Sequence, residues 1–146
     1  GKGRGLNIIQ DEFQVQGGDF ANVGTASTAL KSSLEMIGIP SAIRRRVSII
    51  AYEAEMNLVI HAGGGVIRYY VYPDRINIVA EDEGPGIPDI DLAMEEGYST
   101  ASDEIRELGF GAGMGLSNIK RNADTMEIRS EVGKGTVIDS VIFISG

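Results

Sequence analysis

Hydrophobic positions in the first half of the chain repeat first with the period of a strand and then with the period of a helix. The predicted elements are a strand over residues 6–16 and helices over residues 22–37 and 42–62. Each helix has polar residues near its start that favour capping, Asn22 or Asp19 for the first helix and Ser41 for the second. Glycine follows both helices, which is typical of helix ends.

Strand patterns dominate the second half of the chain. Strands are predicted over residues 66–72, 75–81, 126–132 and 137–144, and helical stretches over residues 90–97 and 114–124. The turn Pro73-Asp74 and the stretch GKGT at 133–136 join these strands in pairs, so each pair is an antiparallel hairpin. Helices interleaved with hairpins predict an α/β (α+β) two-layer sandwich, in which a mixed, largely antiparallel sheet carries the helices on one face.

The length of 146 residues suits one domain with a hydrophobic core, so we expect residues 1–146 to form a single domain. Residues 1–5, GKGRG, are expected to be a mobile terminus. No apolar run approaches the ~18 residues that a membrane span needs, and no signal peptide is visible. The chain has no cysteine, so we expect a cytoplasmic protein with no disulfide framework and no membrane association.

Thirteen basic and 21 acidic residues give a formal net charge of −8. Nucleic acid is disfavoured as a partner, because proteins that bind it normally present a basic patch. The only basic cluster, three arginines at 44–46, is expected to be the solvated start of the second helix. A single histidine, His61, and no cysteine argue against a zinc site, whereas Mg²⁺ held by oxygen ligands stays open.

Glu53 and Asn57 lie four residues apart in the second predicted helix and therefore share one face, beside its apolar stripe. A carboxylate at such a place can accept a proton or polarise a nucleophile, and an Asn carbonyl can bind Mg²⁺ without adding charge. The pair is also compatible with an ordinary half-exposed flank of a helix. Glu55 falls on the opposite side and is expected to be solvated.

The stretch EDEGPGIP at residues 81–88 follows a predicted strand and holds three carboxylates, two glycines and two prolines. Asp82 could accept hydrogen bonds from an exocyclic amine such as that of adenine. Gly84 and Gly86 permit positive φ angles and a close approach of a ligand to the backbone. A tight acidic surface turn is the alternative, and it explains the glycines but not the stiff Pro-Gly-Ile-Pro that ends the stretch.

The stretch GFGAGMGLSNIK at residues 109–120 has glycine at every second position immediately before a predicted helix. Backbone N–H groups and the positive end of the helix dipole make such a loop a cradle for phosphate. The stretch contains neither a Walker A loop nor a Rossmann fingerprint. A flexible hinge is the alternative interpretation.

In combination and order, these motifs resemble the GHKL (Bergerat) ATP-binding fold of histidine kinases, gyrase-type ATPases and MutL. YEAEMN is similar to the N box, EDEGPGIPD to the G1 box, GFGAGMGLSNIKRNAD to the G2 box, and SEVGKGT to the strand and turn that follow. Within this fold the sequence most resembles anti-sigma-factor serine/threonine kinases and RsbT-like switch kinases. The segment DIDLAMEEGYSTAS favours the switch kinases.

The resemblance implies a role for each matching residue. Glu53 would be the general base for a partner's Ser or Thr hydroxyl, and Asn57 would bind Mg²⁺. Asp82 would hold the adenine amino group with the aid of Thr136. Further nucleotide contacts would come from Gly84, Gly86, Gly111, Gly113, Met114, Gly115 and Leu116, with residues 95–110 as the ATP lid.

The implied function is an ATP- and Mg²⁺-dependent protein serine/threonine kinase that phosphorylates a small STAS-type antagonist protein. The alternative is an anti-sigma factor that mainly sequesters a sigma subunit, with ATP as a conformational ligand. A sensor histidine-kinase catalytic domain would need its phospho-acceptor histidine in trans, and a gyrase-type ATPase would bring further domains. Because the anti-sigma branch includes homodimers, a homodimer also stays open.

Overall fold

The computed structural model describes residues 8–95 and 115–144, which build one antiparallel sheet and the helices that cover one of its faces. The strands are β1 (Ile9–Gln16), β2 (Gly64–Val71), β3 (Arg75–Asp82), β4 (Thr125–Glu131) and β5 (Gly135–Phe143). The helices are α1 (Thr25–Met36), α2 (Ser41–Ile60), α3 (Ile90–Ala93) and α4 (Gly115–Asn122). The predicted elements are therefore confirmed, with ends that differ by a few residues.

The strand order is β1-β2-β3-β5-β4, and neighbouring strands pair antiparallel throughout. The two predicted hairpins are β2–β3 and β4–β5, and the predicted two-layer fold is confirmed. The described strands contain no parallel pair, so this sheet is more uniform than the mixed sheet that was expected. The helical connection places β2 antiparallel to β1, and β5 lies between β3 and β4, so the strands that run in the same direction are never neighbours.

The hydrophobic core lies between the sheet and α2, against which α1 and α4 also pack. Its largest fully buried side chains are Tyr69, Leu30, Leu34, Ile50, Leu58, Ile67, Ile76, Ile78, Ile119, Ile142, Val47 and Val71. Burying one such aliphatic side chain contributes about 1.5–3 kcal/mol. Within residues 8–95 and 115–144, we find no helix with the length and apolar composition to cross a membrane.

The start of α1 differs from the prediction. Asn22 donates its side-chain amide to the Asp19 carboxylate (Nδ2–Oδ2 2.8 Å), so neither residue caps the helix. The N-cap is Gly24, which has a left-handed backbone (φ 103°) and no side chain to offer. Glu55 of α2 lies there instead, close to the N–H groups of Gly24 and the first residues of α1.

Glu55 is only 3% exposed, so its predicted solvation is wrong. The unpaired N–H groups and positive dipole end of α1 offset part of the cost of burying its carboxyl group. The predicted Ser41 cap is also wrong. Pro40 takes the N-cap position of α2, and no side chain caps that helix.

The arginines at the start of α2 are solvated only in part. Arg46 donates from Nε to the Asn122 carbonyl at 2.9 Å, and its guanidinium lies 3.2 Å from the Asp124 carboxylate. Arg44 pairs with a carboxylate of α1 at 3.5 Å, while Arg45 is exposed. The predicted solvated start is therefore correct only in part, because the Arg46 side chain is 35% exposed and also connects the end of α4 to α2.

Candidate functional site

Glu53 and Asn57 are both half-buried on α2, one helical turn apart. The Glu53 carboxylate accepts a hydrogen bond from the side-chain amide of Asn118 on α4 (Nδ2–Oε2 2.9 Å). Gly115, the first residue of α4, is so close that an added Cβ would lie 3.7 Å from Glu53 Oε1. The structure therefore brings the predicted base against the first turns of the helix that follows the glycine-rich loop.

Asn118 is a site residue that sequence reasoning missed. Its amide nitrogen donates to Glu53, and its side-chain oxygen accepts a hydrogen bond from the Arg121 guanidinium. The contact with Arg121 determines which end of the amide faces Glu53, because a guanidinium can only donate. The one available signal was its position one helical turn after Gly115.

Asp82, Thr136 and Ser130 form a row across three neighbouring strands. Asp82 of β3 is the register partner of Thr136 in β5, and Thr136 is the partner of Ser130 in β4. Direct cross-strand partners project from the same face of a sheet, and here that face is the one covered by helices. Asp82 is half-buried and Thr136 is 5% exposed, so the two residues predicted to hold adenine lie side by side.

The Asp82 carboxylate combines burial with backbone donors. Burial raises its pKa, and the N–H groups of Gly84 and Thr136 oppose that shift without cancelling it. The Gly84 N–H donates to Asp82 Oδ1 at 2.8 Å. The carboxylate is therefore held in a defined orientation in a partly desolvated place, where a hydrogen bond to a ligand is stronger than in water.

Gly84 and Gly86 have a packing role in addition to the predicted one. An added Cβ would lie 2.7 Å from the Ala62 carbonyl oxygen at Gly84, and 2.5 Å from the Glu131 carbonyl oxygen at Gly86. Both distances are too short for a real side chain. Residues 81–88 are thus packed between the end of α2 and the β4–β5 hairpin, and this packing requires glycine independently of any ligand.

Ser130 is the first residue of the motif SEVGKGT, but no role was predicted for it. Its hydroxyl accepts a hydrogen bond from the Ile87 N–H at 2.7 Å and lies 2.8 Å from the Thr136 hydroxyl. It also lies 3.2 Å from the Gly135 carbonyl oxygen. Ser130 therefore connects the segment at 81–88 to Thr136.

With this geometry in place, residues 18–142 match the family model described as the histidine kinase-like ATPase domain. The chain belongs to this family. The resemblance drawn from the motifs is therefore confirmed.

Two curated relatives carry the comparison further. The chain is 35% identical over 109 residues to the serine/threonine-protein kinase RsbT of Bacillus subtilis, covering 72% of this chain and 76% of the relative. It is 36% identical over 126 residues to an anti-sigma F factor of Clostridium acetobutylicum, covering 82% of this chain and 80% of the relative.

Among solved structures, a mycobacterial sensor histidine kinase, MprB, aligns with a TM-score of 0.54 at 16% identity. The alignment covers 92% of this chain and 97% of the other, which shows the shared fold.

Several predicted residues of this ATPase domain lie outside the described residues. They are Gly111, Gly113 and Met114, together with the predicted lid over residues 95–110, of which only Glu95 is described. Gly115 and Leu116 open α4, where the Leu116 side chain is 8% exposed and packs in the core. Any contact of Leu116 with a phosphate would therefore use its backbone.

A groove of ≈ 330 Å³ runs between α1 and α2 and reaches Glu53. It is lined by Ser27, Thr28, Lys31, Ser48, Ile49, Tyr52 and Glu53. Burial raises the pKa of the Tyr52 phenol, with smaller contributions from the charges of Glu53 and Glu55. In the part of the chain that the structure describes, no cluster of three or more carboxylates or histidines is arranged to hold a metal ion.

Proposed function

We propose that this protein is an ATP- and Mg²⁺-dependent serine/threonine kinase of the switch-kinase type. It would transfer the γ-phosphate of ATP to a Ser or Thr hydroxyl of a small STAS-type regulatory protein in the cytoplasm. The observation that carries the proposal is the Glu53 carboxylate, held by Asn118 against the first turns of α4 and one turn away from Asn57. The kinase name of the Bacillus relative supports it.

The described residues fit an adenine nucleotide. Asp82 and Thr136 are neighbouring acceptors on the helix-covered face of the sheet, suited to the exocyclic amine of adenine. The N-terminus of α4 suits the phosphates, because the positive dipole end of a helix and its N–H groups favour anions. Asn57 would offer Mg²⁺ one neutral oxygen ligand, and water and substrate phosphates would supply the others. Bound ATP would supply the phosphoryl group, and Mg²⁺ would offset its negative charge.

Glu53 would accept the proton of the acceptor hydroxyl as its oxygen attacks the phosphorus atom. Asn118 donates to Glu53 Oε2, and no residue in the described part of the chain donates to Oε1, so Oε1 would receive the proton. The groove between α1 and α2 supplies a path along which an acceptor segment can reach this carboxylate. Positioning and hydrogen-bond donors would do most of the catalysis, as in other phosphoryl transfers.

The test is Glu53→Gln, which keeps the shape of the side chain and removes its capacity as a base. We expect nucleotide binding by calorimetry to be unchanged and transfer to a panel of purified STAS-domain proteins, followed by intact-protein mass, to fall about 10²–10⁴-fold. The exposed Glu35→Gln on α1 is the matched control and should transfer normally. Undiminished transfer by Glu53→Gln would remove this residue from the mechanism.

A second candidate is an anti-sigma factor that sequesters a sigma subunit, with ATP as a conformational ligand. The observation that favours it is the anti-sigma F relative, which aligns over 82% of this chain. This candidate predicts a stable sigma complex that forms equally well with Glu53→Gln and in the absence of phosphorylated product. Transfer to STAS proteins without any sigma complex would exclude it.

A further inference from the structure

We propose that Ser130 is a positioning residue that makes the Thr136 hydroxyl a hydrogen-bond acceptor, and that the site thereby favours 6-aminopurines over 6-oxopurines. This role rests on the proposed function, in which Asp82 and Thr136 face the purine base of the nucleotide. Ser130 lies on the far side of Thr136 from Asp82 in the row across β3, β5 and β4. It would therefore act on the base only through Thr136.

Counting protons assigns a direction to each hydrogen bond of Ser130. A serine hydroxyl has one proton to donate and two lone pairs that accept. The Ile87 N–H, at 2.7 Å, uses one lone pair. The Gly135 carbonyl oxygen, at 3.2 Å, can only accept, so it takes the Ser130 proton. Either hydroxyl could donate in the remaining contact, 2.8 Å between Ser130 and Thr136, but with the Ser130 proton on Gly135 we assign the donor role to Thr136.

The Thr136 proton is consequently turned away from Asp82 and towards β4. What Thr136 presents beside Asp82 is a pair of lone pairs, and an ionised Asp82 also offers only acceptors. Adenine carries an amino group at C6, which donates, whereas guanine and hypoxanthine carry a carbonyl oxygen there, which accepts. The C6 carbonyl oxygen of a 6-oxopurine would therefore face two other acceptors, the Asp82 carboxylate and the Thr136 hydroxyl, and could pair with neither. Unpaired polar groups in a buried site are strongly disfavoured.

Ser130→Ala tests this assignment, because it releases the Thr136 proton and lets that hydroxyl donate. The measurement is the dissociation constant for ATP and for ITP, determined by calorimetry with Mg²⁺. We expect wild-type protein to prefer ATP and the ratio of the two constants to fall about tenfold in Ser130→Ala, the size of one hydrogen bond. Because the ratio is taken within each variant, a partly unfolded fraction cancels.

Two further variants separate this role from simple anchoring of the Ile87 loop. Ser130→Thr keeps the hydroxyl and should keep the wild-type ratio, and Ser130→Cys, a weaker donor and acceptor, should lie between wild type and Ser130→Ala. Ser140→Ala removes another buried hydroxyl from the same face of β5 and should leave the ratio unchanged. In a Thr136→Val background, Ser130→Ala should no longer alter the ratio.

The outcomes are distinct. An equal loss of ATP and ITP binding in Ser130→Ala would mean that Ser130 only anchors the loop, and the proposal would be overturned while nucleotide binding stood. A wild-type protein that binds ATP and ITP equally would overturn it as well. Failure of wild-type protein to bind either nucleotide would instead remove the proposed function, and this role with it.

Discussion

Glu55 is a buried carboxyl group that the proposed chemistry does not use. It is 3% exposed, and its Oε1 has no hydrogen-bond partner among the described residues. Burial raises its pKa, and the N–H groups at the start of α1 oppose this shift without reversing it. Those N–H groups belong to a helix whose N-cap, Gly24, has no side chain. Glu55 therefore stabilises the start of α1 from the neighbouring helix.

This arrangement predicts a pH dependence of folding. A carboxyl group whose pKa is raised on folding contributes stability that is full below its unfolded pKa of about 4.3 and is lost as pH rises through the folded value. Measured by urea unfolding from pH 4 to 7, wild-type protein should therefore lose stability relative to Glu55→Gln as pH rises. Glu55→Ala should cost about 1–3 kcal/mol, because the N–H groups of α1 lose their partner.

The control for Glu55→Gln is the same change at an exposed position, Glu95→Gln. Stability curves for wild type and Glu55→Gln that run parallel across the whole pH range would contradict the assignment. The sequence offered no sign of this contact, since helical spacing placed Glu55 on the solvent side. The start of α1 that attracts it lies about thirty positions earlier in the chain.

At the scale of elements, the β4–β5 hairpin positions the segment at 81–88. The Gly133 N–H donates to the Pro85 carbonyl at 2.8 Å, and the Ile87 N–H donates to Ser130 at 2.7 Å. Gly86 lies directly against the backbone of β4. The segment that carries Asp82 is therefore held by a hairpin that comes some fifty residues later in the chain.

Gly86→Ala tests this docking. Gly86 has a φ of 82°, and its added Cβ would meet the Glu131 carbonyl oxygen at 2.5 Å, so both backbone strain and collision oppose the methyl group. We expect a loss of more than about 2 kcal/mol in unfolding free energy, measured by chemical denaturation. Gly133→Ala is the matched control, since Gly133 has a φ of 84° but no atom lies within 4 Å of the added Cβ. This variant should lose only about 1 kcal/mol of unfolding free energy. Equal losses would show that the contact with β4 is unimportant.

Most elements could be predicted, because hydrophobic periodicity and turn residues act over a few neighbouring positions. The residue that caps the start of α1 could not, and the reason is tertiary. Asn22 is hydrogen-bonded to Asp19, and Glu55 from another helix lies at the N–H groups of the start of α1. Likewise, the partly exposed Arg46 donates to the end of α4, a contact that its position in the sequence did not indicate.

At the scale of the whole molecule, the candidate site draws on four elements that are far apart in the sequence. Glu53 comes from α2, Asp82 from β3, Gly115 from α4 and Thr136 from β5. A ligand that contacts all of them can bind only the folded chain. Its binding free energy is therefore added to the stability of the whole domain.

This predicts that MgATP raises the unfolding free energy by about 2.7 kcal/mol at a concentration one hundred times its dissociation constant. Thermal unfolding with MgATP, with ATP and a chelator, and with Mg²⁺ alone measures the effect, and MgATP should give the largest increase in Tm. The Asp82→Asn variant should show most of this Tm increase lost, because the Asn side-chain amide can direct a donor at the adenine amino group, which also donates. An equal increase from magnesium pyrophosphate would show that the base contributes nothing and would contradict the role of Asp82.

The sequence by itself determined the helices and strands, the two hairpins and the candidate set of Glu53, Asn57, Asp82 and Thr136. Hydrophobic periodicity, turn residues and the order of the motifs can all be read directly along the chain. Only the tertiary structure decided that Glu55 is buried at the start of α1, that Asn118 contacts Glu53 from 65 positions away, and that Ser130 lies beside Thr136. These contacts depend on which elements the packing of the sheet and helices brings side by side, and no local pattern carries that information.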